Sequence, residues 1–241
     1  MYALAIIPGI ILFIIIWKFD TVEKEPPALL LKLFIGGGLT VITAVFIGLL
    51  GDRLMKLVWN DARPIVRIFI NSFIFTALVE EGGKLIVLKL ITWKDKEFNY
   101  TFDGIVYAAA TALGFAVFEN AVYMIKSTSD TFFVRVLLLV IGNIIFSIYM
   151  GYFYGLARYS KSAGSEKEVR KHMAEALLVP MVMHGFYVFC LRTEKPAFTI
   201  LFAIYVTIIT VITVKQFIKL SKNDTLIPGM DSLGEENEGK M

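Results

Sequence analysis

The chain has 241 residues, of which 57% are hydrophobic and 19% charged; soluble domains average about 45–50% apolar and 25% charged residues. The net charge of +3 and the lack of a basic stripe interleaved with aromatic residues argue against nucleic-acid binding. The single cysteine, Cys190, excludes an internal disulfide and a cysteine-based metal cluster. This composition predicts an integral membrane protein.

Seven apolar stretches approach the ~20 residues that a membrane-spanning helix needs. The first lacks a basic n-region and a cleavage site, so we expect a retained anchor. The sequence predicts an all-α, polytopic transmembrane helical bundle over residues 1–220 and a disordered cytoplasmic tail over 221–241. The stretches are Tyr2 to Trp17, Ala28 to about Gly51, Pro64 to Ile91, Gly104 to Ile125, Val136 to Ala157, Met173 to Leu191, and Ala197 to Val214.

The lysines and arginines of the connecting segments predict the orientation, because cytoplasmic loops are enriched in them. The richer side contains the loop from Arg158 to Lys171 and the basic residues that follow the seventh stretch. We therefore expect the N-terminus outside and the C-terminus in the cytoplasm.

Several polar side chains lie inside the apolar stretches, where each ionisable group costs ~2.5–3.5 kcal/mol. A helix that served only as an anchor would not retain them. They are Glu80, Glu81 and Lys84 in the third stretch, Glu119 and Asn120 in the fourth, Asn143 in the fifth and His184 in the sixth.

The two adjacent glutamates cannot face the same neighbour, because successive residues of a helix point about 100° apart. Lys84 is four residues from Glu80 and three from Glu81, so it can pair with either. We favour Glu80 as the functional base, since it continues a polar stripe from Thr76. The alternative is a buried salt-bridge network that fixes helix register, but Lys84 alone cannot neutralise Glu80, Glu81 and Glu119.

Several hydrolytic sites are excluded by missing residues. The zinc motif H-E-x-x-H is absent, and His172, the other of the two histidines, lies in a basic loop. No Gly-x-Ser-x-Gly element occurs. Paired intramembrane aspartates are missing too, because Asp103 lies about 24 Å along its helix from Glu119. Carboxylates and His184 remain, and a carboxylate in apolar surroundings can take a proton from water. No metal or cofactor is expected.

A series of short motifs occurs in order along nearly the whole chain. With them the sequence resembles the PrsW family of bacterial intramembrane proteases, within a superfamily that includes CAAX prenyl endopeptidases and bacteriocin-processing proteins. The motifs are Glu80-Glu81-Gly82-Gly83-Lys84, Phe102-Asp103-Gly104-Ile105-Val106-Tyr107, Gly114-Phe115-Ala116 with Glu119-Asn120 and Tyr123, Arg135, Gly151-Tyr152, and His184-Gly185-x-Tyr187.

The resemblance implies a glutamate-type endopeptidase that cuts a membrane-anchored protein in the lipid bilayer, such as an anti-sigma factor. Its catalytic residues would be Glu80, Glu81, Glu119 and His184. The expected supporting residues are Lys84, Asn120, Tyr123 and Asn143.

The chain departs from the family pattern at two positions. Asn143 stands where the family usually has histidine, and Val188 where it usually has aspartate. Asparagine can donate a hydrogen bond to an oxyanion but does not shuttle protons at neutral pH. One alternative is therefore a pseudoprotease that only binds membrane helices. A second is a proton- or ion-coupled transporter, although no internal repeat supports it.

Overall fold

The computed structural model describes residues 2–58, 63–126 and 132–230. These residues are helical apart from short connections and contain no β-strand, which confirms the predicted all-α bundle. The helices are α1 (Tyr2–Phe19), α2 (Pro27–Val58), α3 (Pro64–Ile70), a π-helix (Asn71–Leu78), α4 (Val79–Thr92), α5 (Asp103–Lys126), α6 (Phe132–Ser162), α7 (Glu166–Arg192) and α8 (Pro196–Lys222).

Five of these helices, α2, α5, α6, α7 and α8, are long and apolar enough to cross a membrane. The apolar part of α1, Ile7–Phe19, is shorter. Several helices are longer than the predicted stretches. Helix α8, for example, ends at Lys222 rather than Val214. Lysine and glutamine favour helix in water as well as in lipid, so the end of an apolar stretch is not the end of its helix.

The third predicted stretch is not a regular α-helix. Asn71–Leu78 forms a π-helix between α3 and α4, with hydrogen bonds that span five residues instead of four. Its flanking residues, Ile70 and Val79, keep right-handed helical backbone angles. The chain therefore runs from Pro64 to Thr92 without a break, and the wider turns come directly before Glu80.

Helix α5 is the centre of the bundle. About 72% of the most apolar segment of α5 is buried, compared with 22% of that of α2 and 11% of that of α8. Glycines allow the neighbouring helices to lie close to α5. A Cβ on Gly114 would lie 1.9 Å from the carbonyl oxygen of Phe34 in α2, and a Cβ on Gly151 in α6 would lie 2.4 Å from the carbonyl oxygen of Gly104. The backbones of α2 and α6 therefore come into direct contact with the backbone of α5 at these glycines.

The start of the predicted tail is ordered. The backbone N–H of Ile227 donates to the carbonyl of Asn99 at 2.7 Å, and Asp224 accepts from the N–H of Phe102 at 2.8 Å. Ile227 is fully buried because it joins the core beneath the loop before α5. Order here extends to Met230, in contrast to the disorder expected from residue 221, and residues 231–241 lie outside the described part.

Candidate active site

The polar residues of α4 and α7 meet inside the bundle. Oε1 of Glu81 lies 2.7 Å from Nζ of Lys84 and 2.7 Å from Nδ1 of His184. Glu81 and Lys84 are almost completely buried, with exposed fractions of 0% and 1%. Lys84 therefore pairs with Glu81 rather than Glu80, and the adjacent glutamates have different surroundings.

The contact with Glu81 indicates which ring nitrogen of His184 carries the proton. An ionised carboxylate only accepts hydrogen bonds, and Oε1 of Glu81 already accepts from Lys84. We therefore assign the proton to Nδ1, which leaves Nε2 with a free lone pair. Phe146 stacks on the imidazole with ring centroids 5.0 Å apart, so the ring is held both at its edge and on its face.

Asn143 from α6 completes the surroundings of Lys84. Its Oδ1 accepts from Nζ at 2.6 Å, and its Nδ2 donates to the carbonyl of Leu139 at 3.0 Å. The ammonium group also lies 4.6 Å from the ring centre of Phe115, a cation–π distance. The buried lysine thus has a carboxylate, an amide oxygen and an aromatic face as partners.

Glu80 points away from this network into a cavity of about 580 Å³. Its Oε2 lies 3.8 Å from Nε2 of His184, which is too long for a direct hydrogen bond but allows one water to contact both atoms. Polar residues in the cavity wall come from the π-helix and from α4, α5, α6 and α7, and they include Thr76, Glu80, Glu119, Tyr123, Asn143, His184 and Arg192.

A second cavity of about 300 Å³ adjoins the first on the side of α2. It shares Thr76, Glu80, Glu119, Tyr123 and Arg192 with the larger cavity. The carboxylates of Glu80 and Glu119 therefore stand between two open volumes. Such a position gives water access to both groups inside an otherwise apolar bundle.

The remaining predicted residues are placed as follows. Asn120 is buried beside Glu119, but it is not among the cavity-lining residues, and its amide has no hydrogen-bond partner within the described ranges. Tyr123 lines both cavities. The side chain of Arg135 lies outside the described part.

Two contributors were not singled out from the sequence. Arg192 lines both cavities. From the sequence it lies at the end of a predicted helix, where a basic residue bears only on membrane orientation. Phe146 stacks on His184, and nothing in an apolar stretch marks one phenylalanine above another.

The donor atoms of the site are of the kinds that zinc takes in proteins, imidazole nitrogen and carboxylate oxygen. A carboxylate on the second ring nitrogen, as Glu81 provides, is the usual way in which a metal-binding histidine is oriented. The 3.8 Å between His184 and Glu80 allows both to bind one ion at zinc–ligand distances of about 2.0–2.2 Å. Glu119 lies farther off, since the site does not form a set of three donors within 4.8 Å in the part described.

Comparison with known proteins places the chain in one family. The family described as "PrsW family intramembrane metalloprotease" matches residues 25–214. The chain is 33% identical over 213 residues to "Protease PrsW" of Clostridioides difficile, covering 87% of this chain and 86% of that protein. It is 32% identical over 186 residues to "Protease PrsW" of Bacillus subtilis, covering 77% and 80%.

A third relative, "Protease PrsW" of Geobacillus kaustophilus, is 30% identical over 188 residues and 78% of both chains. No solved structure matches the chain. The family match extends over the helices that carry Glu80, Glu119 and His184 and over their connections. The chain therefore belongs to the PrsW family and is a multi-pass intramembrane protease of bacterial type.

Proposed function

We propose that Glu80, Glu119 and His184 form the active centre, at which a peptide bond of a membrane-anchored protein is hydrolysed. The observation that carries this proposal is the division of the two glutamates. Glu81 holds His184 through Nδ1 at 2.7 Å, while Glu80 faces Nε2 at 3.8 Å across the cavity. One side of the imidazole is fixed and the other is available for chemistry.

In this mechanism a water lies between Nε2 of His184 and Glu80. Glu80 accepts a proton from the water as its oxygen attacks the peptide carbonyl. Glu119, which lines the same cavity, donates a proton to the amine that leaves. The ion pair of Glu81 and Lys84 stays intact throughout, since its role is to keep the imidazole in one orientation and tautomer.

The donor types also fit a metal ion, which the family description implies. His184 through Nε2 and Glu80 are the residues that would hold it, since their donor atoms lie 3.8 Å apart. Such an ion would act as a Lewis acid and supply a reactive hydroxide at neutral pH. The orienting roles of Glu81, Lys84 and Asn143 would be the same.

The cavity walls suit a substrate that arrives from the lipid. Leu138, Leu139 and Leu191 line it together with Val134 and Val188, so apolar side chains of a membrane-spanning segment can occupy it. Following the family resemblance, we propose that the substrate is a regulator such as a membrane-bound anti-sigma factor.

A cleavage assay in proteoliposomes with candidate single-span substrates tests this function. Glu80→Gln and Glu119→Gln should each lower the cleavage rate by about 10²–10⁴-fold, the usual contribution of acid–base groups. Glu175→Gln is the matched control, because Glu175 is a glutamate of α7 that contacts His172 instead. Cleavage by Glu80→Gln at the wild-type rate would refute the proposed centre.

A parallel assay with a chelator separates the two forms of the chemistry. If the carboxylates act alone, cleavage continues in the chelator at its original rate. If a metal is bound, cleavage stops and returns when a divalent ion is added back. A wild-type chain that captures the substrate without cutting it would indicate a pseudoprotease.

A further inference from the structure

Three buried carboxylates meet at the opposite end of α5 from Glu119. Asp20 and Glu25 come from the link between α1 and α2, and Asp103 is the first residue of α5. Their exposed fractions are 1%, 3% and 1%, and one oxygen of each lies within 4.8 Å of the others. About 24 Å of helix, at 1.5 Å per residue, separates Asp103 from Glu119, so this cluster is not part of the candidate active site.

The protein satisfies only some of the oxygens. Glu25 accepts a hydrogen bond from the hydroxyl of Tyr107 and shares a second one with the carboxyl of Asp103. Oδ2 of Asp103 accepts from the backbone N–H groups of Asn99 at 3.1 Å and Tyr100 at 2.7 Å. Oδ2 of Asp20 is buried and has no hydrogen-bond partner within the described ranges. An unpartnered carboxylate oxygen is costly to bury, and this one belongs to the convergent group.

Positive charge in the surroundings does not balance the cluster. Nζ of Lys24 donates to the backbone carbonyls of Trp17 and Asp20 and lies 4.8 Å from the ring centre of Trp17. Its charge lowers the pKa of Asp20, but by less than burial raises it. Glu23 and Asp224 add further negative charge close by.

Burial and the surrounding negative charge raise the pKa values of the two carboxyl groups in the α1–α2 link. Burial raises the pKa of Asp20 to about 6 and the pKa of Glu25 to about 7, and neighbouring carboxylates add to both shifts. Burial therefore penalises the charged form of both groups. A bound cation would remove this penalty.

We propose that Asp20, Glu25 and Asp103 bind one hard divalent cation, Mg²⁺ or Ca²⁺. Carboxylate oxygens are the ligands that these ions prefer, and the set contains no histidine or cysteine that would favour zinc. The ion would bind the α1–α2 link to the start of α5 and thereby stabilise the bundle. This site is independent of the proposed peptide hydrolysis.

The test uses the purified full chain in detergent with Mn²⁺ as an electron paramagnetic resonance probe. Glu80→Gln serves as the parent, because it removes a donor from the active centre and leaves the cluster intact. The parent should bind one Mn²⁺, and Mg²⁺ or Ca²⁺ should compete for it. Adding Asp20→Asn or Glu25→Gln to the parent should weaken Mn²⁺ binding at least tenfold.

Glu23→Gln in the same parent is the matched control, since it removes a negative charge from the same link but lies outside the cluster. Its Mn²⁺ binding should equal that of the parent. Equal binding by the Asp20→Asn and Glu23→Gln variants, or no Mn²⁺ binding by the parent, would overturn the proposal.

Thermal unfolding supplies a second readout that does not depend on the probe. Saturating Mg²⁺ or Ca²⁺ should raise the midpoint of the parent by roughly 3–6 °C over choline chloride of equal ionic strength. Without divalent ions, Asp20→Asn should unfold no earlier than the parent, because it relieves repulsion. If the parent shows no shift with either ion, the cluster shares protons instead and the proposal fails.

Discussion

Neighbouring residues of identical chemistry perform different tasks in this bundle. Glu81 and Lys84 are 0% and 1% exposed and form an ion pair of 2.7 Å, whereas Glu80 reaches an open cavity. The difference follows from the helix itself, because a step of one residue turns the side chain by about 100°. The pair Glu80-Glu81 thus consists of one glutamate that faces the cavity and one that fixes a histidine.

Glu81→Gln should destabilise the protein far more than Glu80→Gln. Removing one partner of a buried ion pair leaves an uncompensated charge and costs about 3–5 kcal/mol, and here Lys84 would be that charge. Unfolding of both variants in detergent, followed by circular dichroism, measures the difference. Glu80→Gln is the isosteric control and should unfold at or above the wild-type midpoint; the reverse order would show that the structural roles are exchanged.

Asn143 has a clear task as a partner of Lys84. Asparagine in place of the usual histidine suggested that a proton-transfer group is missing at this position. In the structure, Oδ1 of Asn143 accepts a hydrogen bond from Lys84 at 2.6 Å. The amide therefore supports the ion pair that orients His184, and the departure from the family pattern does not leave an unfilled position.

Asn143→Ala should lower the free energy of unfolding by about 1–3 kcal/mol, since the buried ammonium loses an acceptor. Ser147→Ala, one turn further along α6, is the control, because its hydroxyl donates to the carbonyl of Ile144 in its own helix and has no second hydrogen bond among the described residues. Chemical denaturation of both variants is the measurement. If Asn143→Ala is no less stable than Ser147→Ala, Lys84 does not depend on the amide.

At the scale of the helices, sequence predicted the elements better than their details. Apolar stretches of sufficient length identified the helical segments, because lipid imposes that length. Hydropathy does not distinguish π from α hydrogen bonding, so the π-helix of Asn71–Leu78 was not predictable. The candidate site residues were singled out by their cost in the membrane, and their catalytic role stays a prediction. The partner of Lys84 could not be predicted, since both glutamates lay at helical pairing distance.

The contact between α2 and α5 depends on glycines at which the two backbones touch. A Cβ on Gly114 would lie 1.9 Å from the carbonyl oxygen of Phe34, a backbone atom that cannot rotate away. Gly114→Ala should therefore lower the free energy of unfolding by about 1–3 kcal/mol, the usual cost of overpacking.

Gly48→Ala in α2 is the matched control, because a Cβ there has no neighbour within 4 Å. It should be neutral or slightly stabilising, since alanine favours helix over glycine by up to about 1 kcal/mol. Thermal unfolding of the two variants compares them directly. Equal midpoints would mean that α2 and α5 can separate at little cost.

In the whole molecule, two polar regions lie at different levels of the central helix α5. Glu119 belongs to the cavity that reaches Arg192 at the end of α7. Asp103 belongs to the carboxylate cluster, next to Phe102, whose backbone N–H donates to Asp224 after α8. The broader relation to CAAX prenyl endopeptidases and the direction in which the chain crosses the membrane both stay predictions from sequence.

That direction can be tested at the two ends of α7. The loop before it belongs to the side richer in lysine and arginine, which should be cytoplasmic. Ser162 and Lys195 are both exposed and flank α7, while the native Cys190 is 2% exposed and should contribute little background. A membrane-impermeant maleimide applied to intact cells should label Lys195→Cys and leave Ser162→Cys unlabelled until the cells are permeabilised. The opposite pattern would invert the topology, and it would place the cavity end near Arg192 in the cytoplasm and the carboxylate cluster outside.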